Sequence, residues 1–174
     1  MVIEVMVEKD ALSGVLGPVC RQLDIGITAN KGYCSSSTMY EIGKRLGNEY
    51  DNNKKICVVY LGDHDPSGID MTRDVDERLQ MFSRLCDIEV IRVALNWEQV
   101  ELWQPPENPA KETDSRFAAY VEQYGESSWE SDAVLERRDD ELWEVAIAEE
   151  NDMRQTLRDF VDQYNQGDIK DGNY

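Results

Sequence analysis

An unbroken apolar run followed by a compact acidic turn stands in the middle of the chain: ICVVYLGDHDPSG, residues 56–68. Six successive apolar residues, from Ile56 to Leu61, are typical of a central strand in a parallel sheet, because such a strand is buried on both faces. Pro66 suits the first position of a helix and Asp65 suits the N-cap before it. The stretch therefore predicts one strand–turn–helix unit of an α/β fold.

The same alternation of strand and helix patterns extends to both sides of this unit. Strand patterns stand at residues 2–7, 25–28, 56–61 and 88–94. Helical patterns lie between them at 10–23, from about 35–37 onwards, and at 67–86. Parallel strands joined by helical crossovers are the usual outcome of such a pattern. We expect about four parallel strands flanked by helices over residues 1–95, with Asp10 as N-cap of the first helix.

Residues 96–174 differ in composition from residues 1–95. They carry a net charge of -14 out of -18 for the whole chain, and they hold all four tryptophans and a Pro-rich connector at 104–109. Helical patterns with many acidic residues follow the connector. We expect an acidic, mainly helical extension over 96–164 that packs on the core through its tryptophans and points away from substrate, and a flexible tail at 165–174.

Composition also argues against several classes of protein. No segment approaches the roughly 20 apolar residues of a membrane span, and acidic residues follow the N-terminus too soon for a signal peptide. The cysteines form no CxxC pair, so we expect reduced thiols in a cytoplasmic protein rather than a zinc site or a disulfide framework; they are Cys20, Cys34, Cys57 and Cys86.

Acidic residues follow two of the predicted strands. Glu8 follows the first strand, and Asp63 and Asp65 follow the central one. Open α/β sheets bind ligands at the carboxyl ends of their strands, so the three carboxylates meet if these two strands are neighbours. Carboxylate oxygens suit Mg²⁺, and a metal beside a proton-transferring carboxylate suits phosphoryl transfer. We expect a Mg²⁺ site, in which Mn²⁺ can substitute, formed by these three residues.

Other classes of protein also place two aspartates of a DxD motif after a strand. Glycosyltransferases hold the metal of a nucleotide sugar in this way, and the DxDx[ST] turn of aspartyl-phosphate phosphatases nearly matches residues 63–67. A phosphohydrolase, a nucleotidyl transferase and a non-catalytic metal-binding module therefore stay open. An EF-hand does not fit, because a buried strand precedes the acids and Pro66 interrupts the loop. We interpret His64 as a turn or surface histidine in preference to an auxiliary site residue.

Two motifs resemble a Toprim domain: EKDAL at Glu8–Leu12 and GDHDPSG at Gly62–Gly68. They are similar to the versions in topoisomerase VI A subunits and meiotic break-forming transesterases, and NKGY at 30–33 resembles the short Gly-containing segment after that family's second strand. Residues 108–116 and 124–130 resemble segments of uncharacterised bacterial and phage Toprim proteins. The resemblance covers residues 1–95 and extends more loosely to about 150.

This resemblance implies a Rossmann-like Toprim fold and a role for each matching residue. Glu8 is implied as general acid or base and metal ligand, and Asp63 and Asp65 as Mg²⁺ ligands. Asp70 has no firm counterpart, and we assign it either a supporting role behind the ligands or a solvated position. Five residues are candidates for contacts with phosphate or DNA: Lys9, Lys31, Ser67, Lys111 and Arg116. Several of them also fit the role of an ordinary surface or capping residue.

Toprim topoisomerases cut DNA with a tyrosine carried on a separate winged-helix domain. None of the eight tyrosines here stands in a recognisable nucleophile context. We therefore expect action on the DNA phosphodiester backbone, by strand cleavage or transesterification, with a winged-helix or tyrosine-bearing partner supplied separately. Because most of the negative charge lies beyond residue 95, DNA is not excluded, but binding should be weak, metal-dependent and salt-sensitive.

Overall fold

Four parallel strands form the central sheet of this computed structural model, which describes residues 2–50, 54–83, 88–131 and 143–167, with the backbone alone at 50 and 143–153. The strands are β1 (Val2–Val7), β2 (Gly26–Ala29), β3 (Ile56–Leu61) and β4 (Ile88–Ala94), in the order β2-β1-β3-β4. Helices α1 (Asp10–Leu23), α2 (Ser36–Tyr50) and α3 (Pro66–Phe82) connect them. The predicted α/β fold with a four-stranded parallel sheet flanked by helices is confirmed.

The side chains of β3 alternate between two apolar cores. Cys57, Val59 and Leu61 join the core that α1 and the C-terminal helix α6 (Trp143–Gln166) cover. The intervening residues join the core beneath α2 and α3. All six residues of β3 are buried, which is the reason that its sequence is an unbroken apolar run.

Several element boundaries differ from the predicted ones by a few residues. Strand β2 is shifted by one residue towards the C-terminus, and α2, which was expected to begin near 35–37, begins at Ser36 and continues through Tyr50. The N-cap of α1 is Lys9, whose backbone is extended, so the assignment of Asp10 as N-cap is wrong. Asp10 is instead the first helical residue, where a negative charge favours the helix dipole.

The extension contains strands as well as helices. It comprises α4 (Trp97–Trp103), β5 (Glu107–Pro109), α5 (Phe117–Tyr124), β6 (Ser127–Trp129) and α6, and β5 pairs with β6 in antiparallel fashion. Strands of three residues are too short to show the alternation that identifies a strand in a sequence. Helix α6 belongs to the main core, because Leu157, Phe160 and Val161 are buried against α1 and the sheet.

The ends of the chain and its cysteines complete the description. Helix α6 reaches Gln166, so the first residues of the expected tail are helical, and residues 168–174 lie outside the described residues. The described cysteines are free thiols, all buried, and Cys86 lies outside the described residues. In the part of the chain that the structure describes, no helix combines the length and the apolar character needed to cross a membrane.

Candidate functional site

Glu8 and the DxD turn meet at the carboxyl edge of the sheet. Strands β1 and β3 are parallel neighbours, and Val7 lies opposite Leu61 at their ends. The next residues therefore leave the sheet side by side, and Glu8 Oε2 accepts a hydrogen bond from Asp63 N at 2.8 Å. Both side chains are buried. The predicted proximity of these two acids is present in the structure.

The Glu8 carboxyl has an environment that disfavours its ionised form. Burial raises the pKa of Glu8 to about 7, and the negative charges of Asp63 and Asp65 act in the same direction. The hydrogen bond from Asp63 N and the charge of Arg92 oppose this rise. A carboxyl that titrates near neutral pH is suited to accept or donate a proton in a reaction.

Asp65 has the capping role that the sequence predicts. Its Oδ1 accepts hydrogen bonds from Gly68 N and from Ser67 Oγ, and Pro66 occupies the first turn of α3.

Glycine is required at two positions of the turn. A Cβ at Gly68 would overlap the Asp63 carbonyl oxygen, and a Cβ at Gly62 would press on the Tyr60 ring and the Glu8 carboxylate.

Arg92 in β4 holds the DxD turn through hydrogen bonds to its backbone. Its two terminal nitrogens donate to the carbonyl oxygens of Gly62, Asp63, Gly68 and Leu95 and to Thr72 Oγ1. Its Nε is buried and has no hydrogen-bond partner among the described residues. Burial lowers the pKa of the guanidinium, and the charges of Glu8, Asp63 and Asp65 oppose that shift. Sequence reasoning missed Arg92, although an arginine between Ile91 and Val93 in a predicted strand was a visible signal.

The extension contributes directly to the acidic site. Ser131 N and Oγ donate to Asp63 Oδ1 at 2.8 and 2.6 Å, and Ser131 is fully buried. Lys9 Nζ lies 3.1 Å from Asp63 Oδ2 and 3.0 Å from Glu130 Oε2. Glu130 and Ser131 of the extension therefore lie at the acidic site rather than away from it. Ser131 had no sequence signal, because its role depends on a contact between residues 68 positions apart.

His64 is buried, so its interpretation as a surface histidine is wrong. It is 1% exposed and packs against the rings of Trp97, Tyr120, Tyr124 and Trp129. Burial lowers its pKa to about 4, which leaves a neutral imidazole at neutral pH. Its backbone also pairs in both directions with Trp129. The extension supplies all four rings, and these contacts hold the extension against the DxD turn.

Asp70 and Arg116 belong to a hydrogen-bonded cluster beside the three site acids. Asp70 accepts hydrogen bonds from Tyr33, Arg73 and Arg116 rather than bonding to the three site acids, and these bonds hold its pKa at about 2. Arg116 is shared between Asp70 and Asp114, and it also contacts the Tyr33 hydroxyl.

The four remaining candidates for phosphate contacts differ in their distance from the acids. Lys9 and Ser67 bond to site acids. Lys31 pairs with Asp10 at 2.9 Å on the surface, and Lys111 is exposed. The geometry therefore favours Lys9 and Ser67 as the residues that could meet a ligand at the site.

The donor set is chemically suited to a hard divalent cation but is not assembled around one. Glu8 Oε1 and Asp65 Oδ2 accept no hydrogen bond from the described residues, whereas both oxygens of Asp63 are engaged. Within the described ranges, no group of three or more His, Cys, Asp or Glu residues is arranged to hold a metal ion. A cation that used Asp63 would have to displace the Lys9 ammonium from Oδ2.

Comparisons with protein-family models, curated proteins and solved structures gave no match for this chain.

Proposed function

We propose that this chain is a Mg²⁺-dependent Toprim-type module that acts in the cytoplasm on the phosphodiester backbone of DNA, by strand cleavage or transesterification. One observation carries the proposal: β1 and β3 are neighbours, and Glu8 is bonded to the DxD turn across their carboxyl ends. The Toprim motif order needs this adjacency, because its glutamate and its aspartate pair stand on different strands.

Each residue of the site has a distinct part in this proposal. Glu8 and Asp65 offer unbonded carboxylate oxygens to the ion, and Asp63 becomes available when Lys9 moves from its Oδ2. When bound, Mg²⁺ would offset the charge that develops on the phosphoryl oxygens. Glu8 is the candidate to accept or donate the proton of the attacking or leaving hydroxyl. Its pKa of about 7 is that of the ion-free site, and a bound cation would lower it. Lys9, displaced from Asp63, can then contact a phosphate oxygen.

In this proposal a covalent reaction uses a tyrosine from a separate partner domain. Burial strongly raises the pKa of Tyr60, whose hydroxyl contacts Met71 Sδ inside the core. The Tyr33 hydroxyl is held by Asp70 and Arg116. Neither is poised as a nucleophile, which supports the proposal of a separate winged-helix or tyrosine-bearing partner domain.

A metal-dependent phosphohydrolase is the second candidate function. Aspartyl-phosphate phosphatases need further acids near the DxD turn, and Glu130 supplies one, since Lys9 bridges it to Asp63. In this alternative, water or Asp63 attacks a phosphomonoester and no tyrosine partner is needed. Release of inorganic phosphate from a monoester, without nicking of DNA, would favour it.

The test is nicking of supercoiled plasmid in Mg²⁺ or Mn²⁺, with and without a tyrosine-bearing partner, together with calorimetric titration of the same ions. Asp65→Asn removes a carboxylate but keeps a good N-cap, so the fold should survive. We expect this variant to lose ion binding and at least about 100-fold in nicking. Glu122→Gln, on the exposed face of α5, is the matched control. Nicking that survives Asp65→Asn would overturn the metal assignment, and ion binding without any nicking would favour a non-catalytic module.

A further inference from the structure

A second cavity lies at the opposite, amino edge of the sheet. Its volume is about 500 Å³, which is within the usual range for sites of small molecules. It is lined by the start of β1, the start of β2, Lys54 and the last turns of α1, α2 and α6. Glu8 follows the other end of β1, and the DxD turn follows the same end of the neighbouring strand β3, so this cavity is separate from the carboxylate site.

A buried carboxylate faces this cavity. Glu4, in the middle of β1, is 3% exposed. Its Oε1 bonds to Arg45 Nη2 at 3.0 Å and to Thr28 Oγ1 at 2.9 Å. Its Oε2 accepts no hydrogen bond from the described residues and lies against Gly26, where a Cβ would overlap it. Glycine opposite Glu4 in the strand register leaves room for this carboxylate.

The Glu4–Arg45 pair is poorly suited to a purely stabilising role. Burial of a carboxylate costs several kcal/mol, and its partner here is a half-exposed arginine that water already solvates. An apolar side chain at position 4 would pack with the neighbouring core at no such cost. A charged group kept in an otherwise apolar strand, with one oxygen open to a cavity, is typical of a ligand-binding position.

The electrostatics of the cavity favour a cation. Among the described residues, three carboxylates line it against two bases, and each base is already paired, Arg45 with Glu4 and Lys54 with Glu49. The third carboxylate is Asp24. The C-terminal ends of α1, α2 and α6 all reach the cavity, and each helix C-terminus carries a partial negative charge. The walls between these groups are apolar and include Leu23, Ile25 and Val161.

We propose that this cavity binds a small organic cation, with an ammonium group on Glu4 Oε2 and an apolar body between Leu23, Ile25 and Val161. The site is independent of the function proposed for the carboxyl edge. The ligand needs both a cationic group and an apolar body, because the Glu4 carboxylate contacts the charge and the apolar walls contact the rest of the ligand.

The test is an ¹H–¹⁵N NMR titration of the full chain with three compounds of one shape and different charge: benzylammonium, benzyl alcohol and benzoate, at constant ionic strength. Benzylammonium should shift the amides of residues 23–26 and bind at least about tenfold more tightly than the other two, since a bond between charged groups is worth a factor of that size. Glu4→Gln should remove this preference, whereas Glu41→Gln, exposed on α2, should keep it.

Three outcomes would overturn the proposal. Equal binding of the three compounds, or tighter binding of benzoate, would show that the carboxylate does not select the ligand. Shifts confined to Asp63–Gly68 would place the cation at the carboxyl edge instead. Absence of any shift at the solubility limit of benzylammonium would mean that the cavity takes no such ligand. The comparison of three compounds on wild-type protein decides the matter even if Glu4→Gln fails to fold.

Discussion

The two ends of β1 each combine a buried glutamate with an arginine, but in opposite ways. At the amino end, Arg45 bonds directly to the Glu4 carboxylate. At the carboxyl end, Arg92 bonds to backbone carbonyls of the turn, and the negative charges of Asp63 and Asp65 raise the pKa of Glu8. The first glutamate has a counter-charge in the protein, whereas the second lacks a direct one.

This difference separates a carboxylate that is ion-paired through one oxygen from one that has no ion pair with a described residue. Burial of Glu8, and after it the negative charges of Asp63 and Asp65, raise the free energy of its ionised form in the folded protein, and a proton or a divalent cation relieves this. Natural proteins keep such strain at functional sites, where stability is lower than the fold would allow. We therefore assign the proposed catalysis to the carboxyl edge of the sheet and the proposed binding of a cation to its amino edge.

The largest expected effect comes from Arg92, which holds the turn without neutralising the acids directly. Arg92→Met removes one donor each from four carbonyls and one hydroxyl, so we expect the free energy of unfolding to fall by about 3 kcal/mol. Urea unfolding measures this loss. Arg73→Met is the control, because Arg73 is exposed and water screens its ion pairs. Equal losses in the two variants would show that Arg92 does not support the turn.

Glu8→Gln should stabilise the metal-free protein. Because the folded-state pKa of Glu8 lies above its ordinary value of 4.5, its contribution to stability is present below that pH and is lost as the pH rises through 7. A glutamine cannot ionise, so in EDTA the variant should be more stable than wild type by about 2 kcal/mol at pH 8 and by little at pH 4.5. Unfolding free energies across this range test the sign. A variant less stable than wild type at pH 8 would mean that Glu8 is not strained.

Much of the carboxyl edge could be predicted from the sequence, and the reasons are local. The apolar run of β3 identifies a buried strand, and Asp65–Pro66 identifies the start of a helix, because both depend on neighbouring residues. The meeting of Glu8 with Asp63 required one further assumption, that β1 and β3 are neighbours. Ser131 and the rings around His64 come from the extension, and no periodicity reports a contact between residues so far apart.

The amino edge could not be predicted at all. Glu4 stands in a strand pattern as one acidic residue among apolar ones, and the sequence does not say that its carboxylate is buried. The cavity exists because Gly26 lies opposite Glu4 and because three helices end nearby. Register and helix packing are tertiary facts, so this region becomes visible only in the folded protein.

Glu4→Gln should have the opposite sign to Glu8→Gln. The glutamine can still accept from Thr28 and Arg45, but it loses the ionic part of the Arg45 bond, so we expect a loss of about 1 kcal/mol at pH 8. Thermal and urea unfolding beside the Glu8→Gln variant give a matched comparison on one strand. If both variants stabilise the protein, the contrast between the two ends of β1 is not electrostatic.

An effect specific to ion binding is expected at Ser131, which links the extension to the acidic site at the carboxyl edge. Ser131→Ala removes one of the two donors to Asp63 Oδ1, at a cost of about 1 kcal/mol. Because outer contacts orient a ligating carboxylate, Mg²⁺ binding should weaken by about tenfold. Ser128→Ala is the matched control: Ser128 is also buried in the extension, but its hydroxyl bonds to the Asn108 carbonyl oxygen, so ion binding should not change. A similar loss of ion binding in both variants would mean that the extension acts through general stability rather than through Asp63. A loss in Ser131→Ala alone would make the extension part of the site.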